Sequence, residues 1–173
     1  MERRQRQRCI RDRRNRGRQA GVVGLGGAAF PSFIKLNPGS NVVETLVLNG
    51  AECEPYISCD QALMAAQPDA ILQGARLLLH ALGAQHCLFG VEDNKPEAIA
   101  ALQAAADALG DERIRIVTVP TRYPQGGEKQ LIQTLTGREV PSHGLPLDHG
   151  IVCHNPGPCL LYSTDAADHP PHV

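Results

Sequence analysis

The stretch VVETLVLNG at residues 42–50 decides the fold class of this 173-residue chain. Apart from one glutamate, its first seven residues are β-branched or leucine, which is typical of a buried strand, and Asn49-Gly50 closes the run. The next regular segment begins at Pro68 and repeats apolar side chains at helical spacing until Gly83. These two segments predict a strand followed by an amphipathic helix.

Further along, the chain continues to alternate between strand and helix. The pattern predicts strands at residues 87–91 and 113–119, a helix at 96–109, a helix of two to three turns between two glycine stops at 127 and 137, and a short strand at 150–153. Helices alternating with apolar strands at this spacing favour an α/β fold. We expect a Rossmann-like, mostly parallel sheet with helices on both faces.

The two ends of the chain differ in composition from the segment between them. Residues 1–18 carry nine arginines but no aromatic side chain for base stacking and no apolar helical face, so we expect a disordered leader at 1–19 and no nucleic-acid partner. Residues 156–173 hold four prolines among scattered Asp and His, which predicts an irregular tail. The pattern predicts one domain at 20–155, with no apolar run long enough for a membrane span.

Cysteine and histidine spacing indicates neither a metal site nor a catalytic side chain. The six cysteines form no C-x-x-C pair, and Cys53 and Cys59 lack the close spacing and further partners of a zinc or iron–sulfur site. The seven histidines have no ligand spacing. We therefore predict reduced thiols, no bound metal and no catalytic residue.

The glycine-rich stretch GVVGLGGAAFP at residues 21–31 leaves the backbone nearly bare, so that a ligand can approach its main-chain N–H groups. Lys35 follows as a counter-charge for a phosphate. The pattern lacks the third glycine of the dinucleotide fingerprint, and no strand precedes it. On pattern alone, a ligand cradle and an ordinary turn are equally open.

Polar side chains follow the first and third predicted strands. They are Asn49, Glu52 and Glu54 after the first, and Tyr123, Gly126 and Glu128 after the third. Because the carboxyl ends of parallel strands share one edge, both groups are expected to meet the glycine loop and to suit a flat, phosphate-bearing cofactor. The alternative is that these carboxylates are solvated or serve only a helix dipole.

Three ordered blocks of sequence resemble RnfC, the NADH-facing subunit of the Rnf ion-translocating electron transport complex, which is akin to the flavin subunit of respiratory complex I. The blocks are GLGGAAFP at 24–31 with Lys35, NGAECEPY at 49–56 with Asp60, and YPQGGEKQL at 123–131 with TGREVP at 136–141. The resemblance covers roughly residues 20–155. Leu25, Ala51 and Gly127 stand where complex I has arginine, aspartate and glutamate.

The resemblance implies a domain of the complex I flavin-subunit type, with FMN as cofactor and NADH as substrate. The cofactor-binding residues that it implies are Gly24, Gly26, Gly27, Lys35, Asn49, Glu52, Tyr123, Gly126, Glu128 and Asn155. It implies that Phe30 and Glu54 face NADH. The expected function is NADH-to-FMN electron entry, as an oxidoreductase component of a membrane-bound complex.

RnfC proteins continue into a ubiquitin-like domain and segments that hold 4Fe-4S clusters, and this chain has no matching cluster ligands. We therefore expect an incomplete subunit whose partners are the other Rnf subunits, at the cytoplasmic side of the bacterial inner membrane. The alternative is a truncated, non-catalytic fragment that keeps the fold as an assembly surface.

Overall fold

Four parallel strands form the centre of the part of the chain that the structure, a computed structural model, describes: residues 21–24 and 30–168. The strands are β1 Thr45–Gly50, β2 His86–Glu92, β3 Ile114–Val119 and β4 Ile151–His154. They lie in the order β3-β2-β1-β4, and every pairing is parallel. The predicted parallel α/β sheet is confirmed, while the predicted leader at 1–19 lies outside the described residues.

Helices connect and flank the strands throughout residues 30–168. They are α1 Ser32–Lys35, α2 Cys59–Ala66, α3 Pro68–Leu82, α4 Pro96–Leu109, α5 Glu128–Thr136, a 3-10 helix Pro146–His149, and α6 Pro156–Asp168. The predicted helices correspond to α3, α4 and α5. Within these described residues, every helix is too short or too polar to cross a bilayer.

The helices cover both faces of the sheet, as the pattern predicts. Leu46 and Leu48 of β1 point into a core shared with α2, α3, α4 and α6, whereas Val47 between them points into a second core with Leu131 and Ile132 of α5. This alternation follows from the two-residue period of a strand, which sends successive side chains to opposite faces. Both faces of β1 are therefore buried by apolar contacts, which stabilise the central strand.

The order of the strands locates the edge where a ligand would bind. The chain runs from β1 outward through β2 to β3, and then returns through α5 to place β4 on the other side of β1. The direction of winding therefore reverses between β1 and β4. In open α/β sheets, ligands bind at such a reversal, outside the carboxyl ends of the strands.

The prediction of an irregular tail from residue 156 is wrong, because α6 occupies that segment as far as Asp168. Pro156 takes the first helical position, where a missing N–H has no cost, and the side chain of Asn155 caps the helix by accepting a 2.8 Å bond from the Gly157 N–H. Cys159 is fully buried between α6 and α3. Residues 169–173 lie outside the described part of the chain.

Gly74 sets the close approach of α3 to α6, and its replacement gives a first prediction. A Cβ atom at this position would overlap the backbone of Cys159. Gly74→Ala is therefore expected to lower the free energy of unfolding by about 1–3 kcal/mol, although alanine normally stabilises a helix interior relative to glycine. Urea unfolding measures the change, with the exposed neighbour Gln73→Ala as control. A stabilised Gly74→Ala variant would contradict this helix contact.

Candidate functional site at the carboxyl edge of the sheet

A cavity of about 410 Å³ lies over the carboxyl ends of β1, β2 and β3. It is lined by residues 52–57 and Gln61 after β1, by Glu92, Asn94 and Lys95 at the end of β2, and by residues 121–123 after β3. Three sequence-predicted residues, Glu52, Glu54 and Tyr123, share this lining. The volume lies in the range of roughly 300–1,000 Å³ that is usual for small-ligand sites.

Lys35 connects α1 to the strands and helix beside this cavity. Its Nζ atom lies 3.0 Å from Glu128 Oε1 and donates a 2.9 Å hydrogen bond to the carbonyl oxygen of Cys153. Both side chains are partly exposed, at 32% for Lys35 and 41% for Glu128. Since an ammonium group has three hydrogens, one remains for a ligand. The structure thus joins two predicted residues that are far apart in sequence.

Asn49 fixes the loop after β3 against the end of β1. Its Nδ2 group donates a 2.8 Å bond to the Gly126 carbonyl oxygen, and its Oδ1 atom accepts a 3.1 Å bond from the Ala51 N–H. A Cβ atom at Gly126 would lie 2.6 Å from the Ala51 carbonyl oxygen, so only glycine allows this approach. Asn49 therefore positions the loop and keeps one amide hydrogen for a ligand.

Glu52 caps the N-terminus of α2, which is why a helix forms where the local sequence predicts none. Its Oε1 atom accepts a 2.8 Å bond from the Asp60 N–H, and its Oε2 atom accepts a 3.1 Å bond from the Gln61 N–H. The Cys59 thiol also donates to Glu52 at 3.4 Å, and this bond, with burial, raises the pKa of Cys59. The thiol is therefore protonated at neutral pH.

Asn155 joins the end of β4 to the start of α2. Its Nδ2 group donates a 2.6 Å bond to Asp60 Oδ2 while its Oδ1 atom caps α6. Burial raises the pKa of Asp60, and the negative charge of Glu52 adds to this, whereas the bond from Asn155 and the charge of Lys95 oppose it. Both polar atoms of Asn155 thus have partners within the chain.

A buried ion pair closes the floor of the cavity at the end of β2. Lys95 Nζ lies 2.7 Å from Glu92 Oε2, and the two side chains are 4% and 0% exposed. Glu92 Oε1 has no hydrogen-bond partner among the described residues. The sequence analysis missed this pair. Its only signal was a carboxylate at the end of an apolar strand with a lysine three residues later.

His154 ends β4 beside this network and is 4% exposed. Its Nε2 atom has no hydrogen-bond partner among the described residues. Burial lowers the pKa of His154 to about 3, and the nearby charge of Lys35 lowers it further. The imidazole is therefore neutral at physiological pH. The sequence analysis treated His154 as a surface or structural histidine, and the structure buries it.

The glycine-rich loop is closed at its base and lies next to Lys35. Gly24 N–H donates a 2.8 Å bond to the Phe30 carbonyl oxygen, and Val23 pairs with Pro31 in an antiparallel bridge. The Phe30 ring is 43% exposed, with Lys35 Nζ 5.8 Å from its centroid. Two predicted cofactor residues, Gly26 and Gly27, lie outside the described residues.

The two residues expected to face NADH lie in different surroundings. Phe30 lies against Lys35, whereas Glu54 lines the cavity with Tyr123. Arg122 and Tyr56 also line that cavity, and the sequence analysis assigned a role to neither. The polar edge therefore has two neighbouring parts: a cluster around Lys35 and a cavity over β1 to β3.

Comparisons with known proteins agree with this architecture. Residues 18–159 match the family model Complex1_51K, described as the Nuo51 FMN-binding domain. The chain is 56% identical over 142 residues to the C-type subunit of the ion-translocating oxidoreductase complex of Pseudomonas aeruginosa, covering 81% of this chain and 18% of that protein. It is 46% identical over 147 residues to the C-type subunit of the proton-translocating ferredoxin:NAD(+) oxidoreductase complex of Clostridium ljungdahlii, covering 84% and 32%.

A solved structure shares the fold. A chain of the NAD+-reducing NiFe hydrogenase in its H2-reduced state superposes with a TM-score of 0.79 at 24% identity, over 92% of this chain and 31% of that one. The sequence relatives confirm the resemblance drawn from the three motif blocks. The chain spans 18% and 32% of the length of the two curated relatives.

Proposed function

Because this chain belongs to the Nuo51 FMN-binding domain family, we propose that the carboxyl edge of its sheet binds FMN and takes up electrons from NADH. The observation that carries the proposal is the convergence of Lys35, Glu128, Asn49 and Gly126 beside a polar cavity at the point where the sheet reverses direction. These side chains come from four separate segments. Their meeting at a ligand-binding edge favours a site over a set of solvated loop residues.

The residues at this edge fit a flavin nucleotide. Lys35 offers one ammonium hydrogen and a positive charge to an anionic group, and Asn49 offers one amide hydrogen. Gly126 has no Cβ, so its loop presents bare backbone to a flat ring, as a close approach requires. Tyr123 is 82% exposed at the cavity and provides an aromatic face.

A bound FMN would supply acceptance of a hydride from NADH and release of single electrons. The residues of the chain bind and orient. Glu128 holds the Lys35 ammonium in place, so that its charge faces the same side of the edge as the Gly126 loop. Glu52 and Asn155 hold α2 and α6 in place, so the walls are fixed before a ligand arrives.

Flavin binding tests the proposal directly. Titration of FMN with the purified chain is expected to quench flavin fluorescence at micromolar protein. Lys35→Ala is expected to weaken FMN binding by about 10–100-fold, because a hydrogen bond to a charged group contributes about 1.5–3 kcal/mol. Lys129→Ala is the matched control, since Lys129 donates instead to the carbonyl oxygens of Pro141 and Ser142. Absence of quenching by the wild-type chain would refute the proposal.

Electron uptake separates this function from the alternative of an assembly surface. On the proposed function, NADH bleaches the visible absorbance of FMN bound to the chain under anaerobic conditions. A chain that keeps the fold and co-purifies with the membrane subunits of its complex, but carries no flavin, would support the assembly surface instead. The names of the relatives support a setting among the other subunits of an ion-translocating complex, and we place the chain with them on the cytoplasmic side of the bacterial inner membrane.

A further inference from the structure

Tyr56 adopts a backbone conformation that its own side chain disfavours. Its φ angle is 67°, and it is the non-glycine residue with positive φ among the described residues. The Ile57 N–H donates a 3.3 Å bond to the Glu54 carbonyl oxygen, which closes a four-residue turn with Pro55 in second place and Tyr56 in third. Glycine or asparagine is the usual residue at a third position with positive φ. The turn itself therefore favours glycine over tyrosine.

Contacts of the side chain with the described residues do not compensate for this strain. The relative exposure of Tyr56 is 105%, so its ring is not buried against any part of the chain that the structure describes. The strain therefore holds an aromatic ring in the open. Backbone strain of this kind is concentrated at ligand-binding positions, where it holds a side chain in the geometry for binding.

The ring is exposed at the cavity over β1 to β3. Tyr56 lines this cavity together with Tyr123, which is 82% exposed, and with Arg122, Glu54 and Asn94. Aromatic faces suit a nucleotide base, a guanidinium suits a phosphate, and carboxylate or amide oxygens suit ribose hydroxyls. The Lys35 cluster is not part of this lining. The chemistry of the cavity is thus that of a nucleotide site beside the proposed flavin site.

We propose that Tyr56 stacks on a base of the dinucleotide substrate and that the cavity over β1 to β3 holds this dinucleotide next to the flavin. The inference rests on the proposed function, which provides a reason for a dinucleotide to bind here. It adds a residue and a place for the substrate. The strained turn presents the ring before the ligand arrives, so that binding does not have to order it.

Substitution of Tyr56 separates the ring from the turn. Tyr56→Gly removes the ring and relieves the backbone strain, whereas Tyr56→Phe keeps the ring. NAD+ is the probe, measured by calorimetry with and without saturating FMN, because it has the same bases as NADH but does not reduce the flavin. Tyr56→Gly is expected to weaken NAD+ binding about tenfold, at equal or higher thermal stability and with unchanged FMN affinity. Tyr56→Phe is expected to bind NAD+ within about twofold of the wild type.

The outcomes distinguish this inference from the proposed function. Unchanged NAD+ affinity in Tyr56→Gly would overturn the inference, as would an equal loss of FMN affinity, which would assign the ring to the flavin. A wild-type chain that binds FMN but not NAD+ also overturns it while leaving the flavin site intact. A wild-type chain that binds NAD+ in a Tyr56-dependent way but does not bind FMN would support the stacking contact and refute the flavin site.

Discussion

Replacing Lys95 with methionine is expected to lower the free energy of unfolding by about 3–5 kcal/mol, because the substitution leaves the Glu92 carboxylate buried without its counter-charge. Glu92 is fully buried and its Oε1 atom already has no partner among the described residues, so the 2.7 Å contact with Lys95 is its main compensation. Chemical denaturation at neutral pH measures the loss. The cavity over β1 to β3 would also lose part of its floor, since both residues line it.

Two further variants make this expectation specific to burial. Glu92→Leu combined with Lys95→Met removes both charges and is expected to be close to the wild type or more stable, because a buried ion pair gains little over apolar side chains of similar size. Arg138→Ala breaks an exposed ion pair with Glu44, in which both side chains are nearly half exposed, and is expected to change stability by less than about 1 kcal/mol. Similar losses for Lys95→Met and Arg138→Ala would contradict the argument.

The sheet and its main helices could be predicted because their signals are local. The run at 42–50 is apolar on both faces, as a central parallel strand must be, and the helix from Pro68 to Leu82 shows its period and its glycine stop in consecutive residues. The start of the strand has no such local signal. Val42 has the right residue type but is 83% exposed, and only the tertiary structure decides that β1 begins at Thr45.

The two helices that the sequence analysis missed depend on distant or unusual caps. The first turn of α2 is capped by Glu52, which lies in the preceding loop and not at the helix N-cap. The first turn of α6 contains two prolines, which suggested an irregular tail because their effect depends on position. At Pro156 the missing N–H has no cost, and the contact of Gly74 with Cys159 then stabilises the helix.

For the site, the residue types could be predicted but not their partners. The pairing of Lys35 with Glu128 and of Asn49 with the Gly126 loop joins segments far apart in sequence, and no periodicity encodes such a contact. The Glu92–Lys95 pair was missed because charged residues near a strand end are usually solvated. Tyr56 was missed because its importance lies in a φ angle that residue type does not reveal.

Acidification is expected to destabilise the chain through His154. Its pKa is about 3 in the folded chain because the ring is buried, with Lys35 nearby, and about 6.5 when unfolded. Below pH 6.5 the unfolded chain therefore binds more protons than the native one. The contribution of His154 to stability is fully present above pH 6.5 and falls by up to about 1.4 kcal/mol per pH unit down to the folded pKa, which amounts to about 3 kcal/mol at pH 4.

The measurement is the free energy of unfolding of the wild type and of His154→Gln between pH 7.5 and 4, taken as a difference at each pH. The difference is required because Asp60 acts in the opposite direction: burial raises its pKa, so its protonation favours the folded state as the pH falls. The advantage of the wild type over His154→Gln is expected to shrink steadily as the pH is lowered from 6.5. The exposed His143→Gln serves as control, and a difference that stays constant with pH would show that His154 does not titrate as a buried group, because only burial gives the native state a lower proton affinity than the unfolded chain.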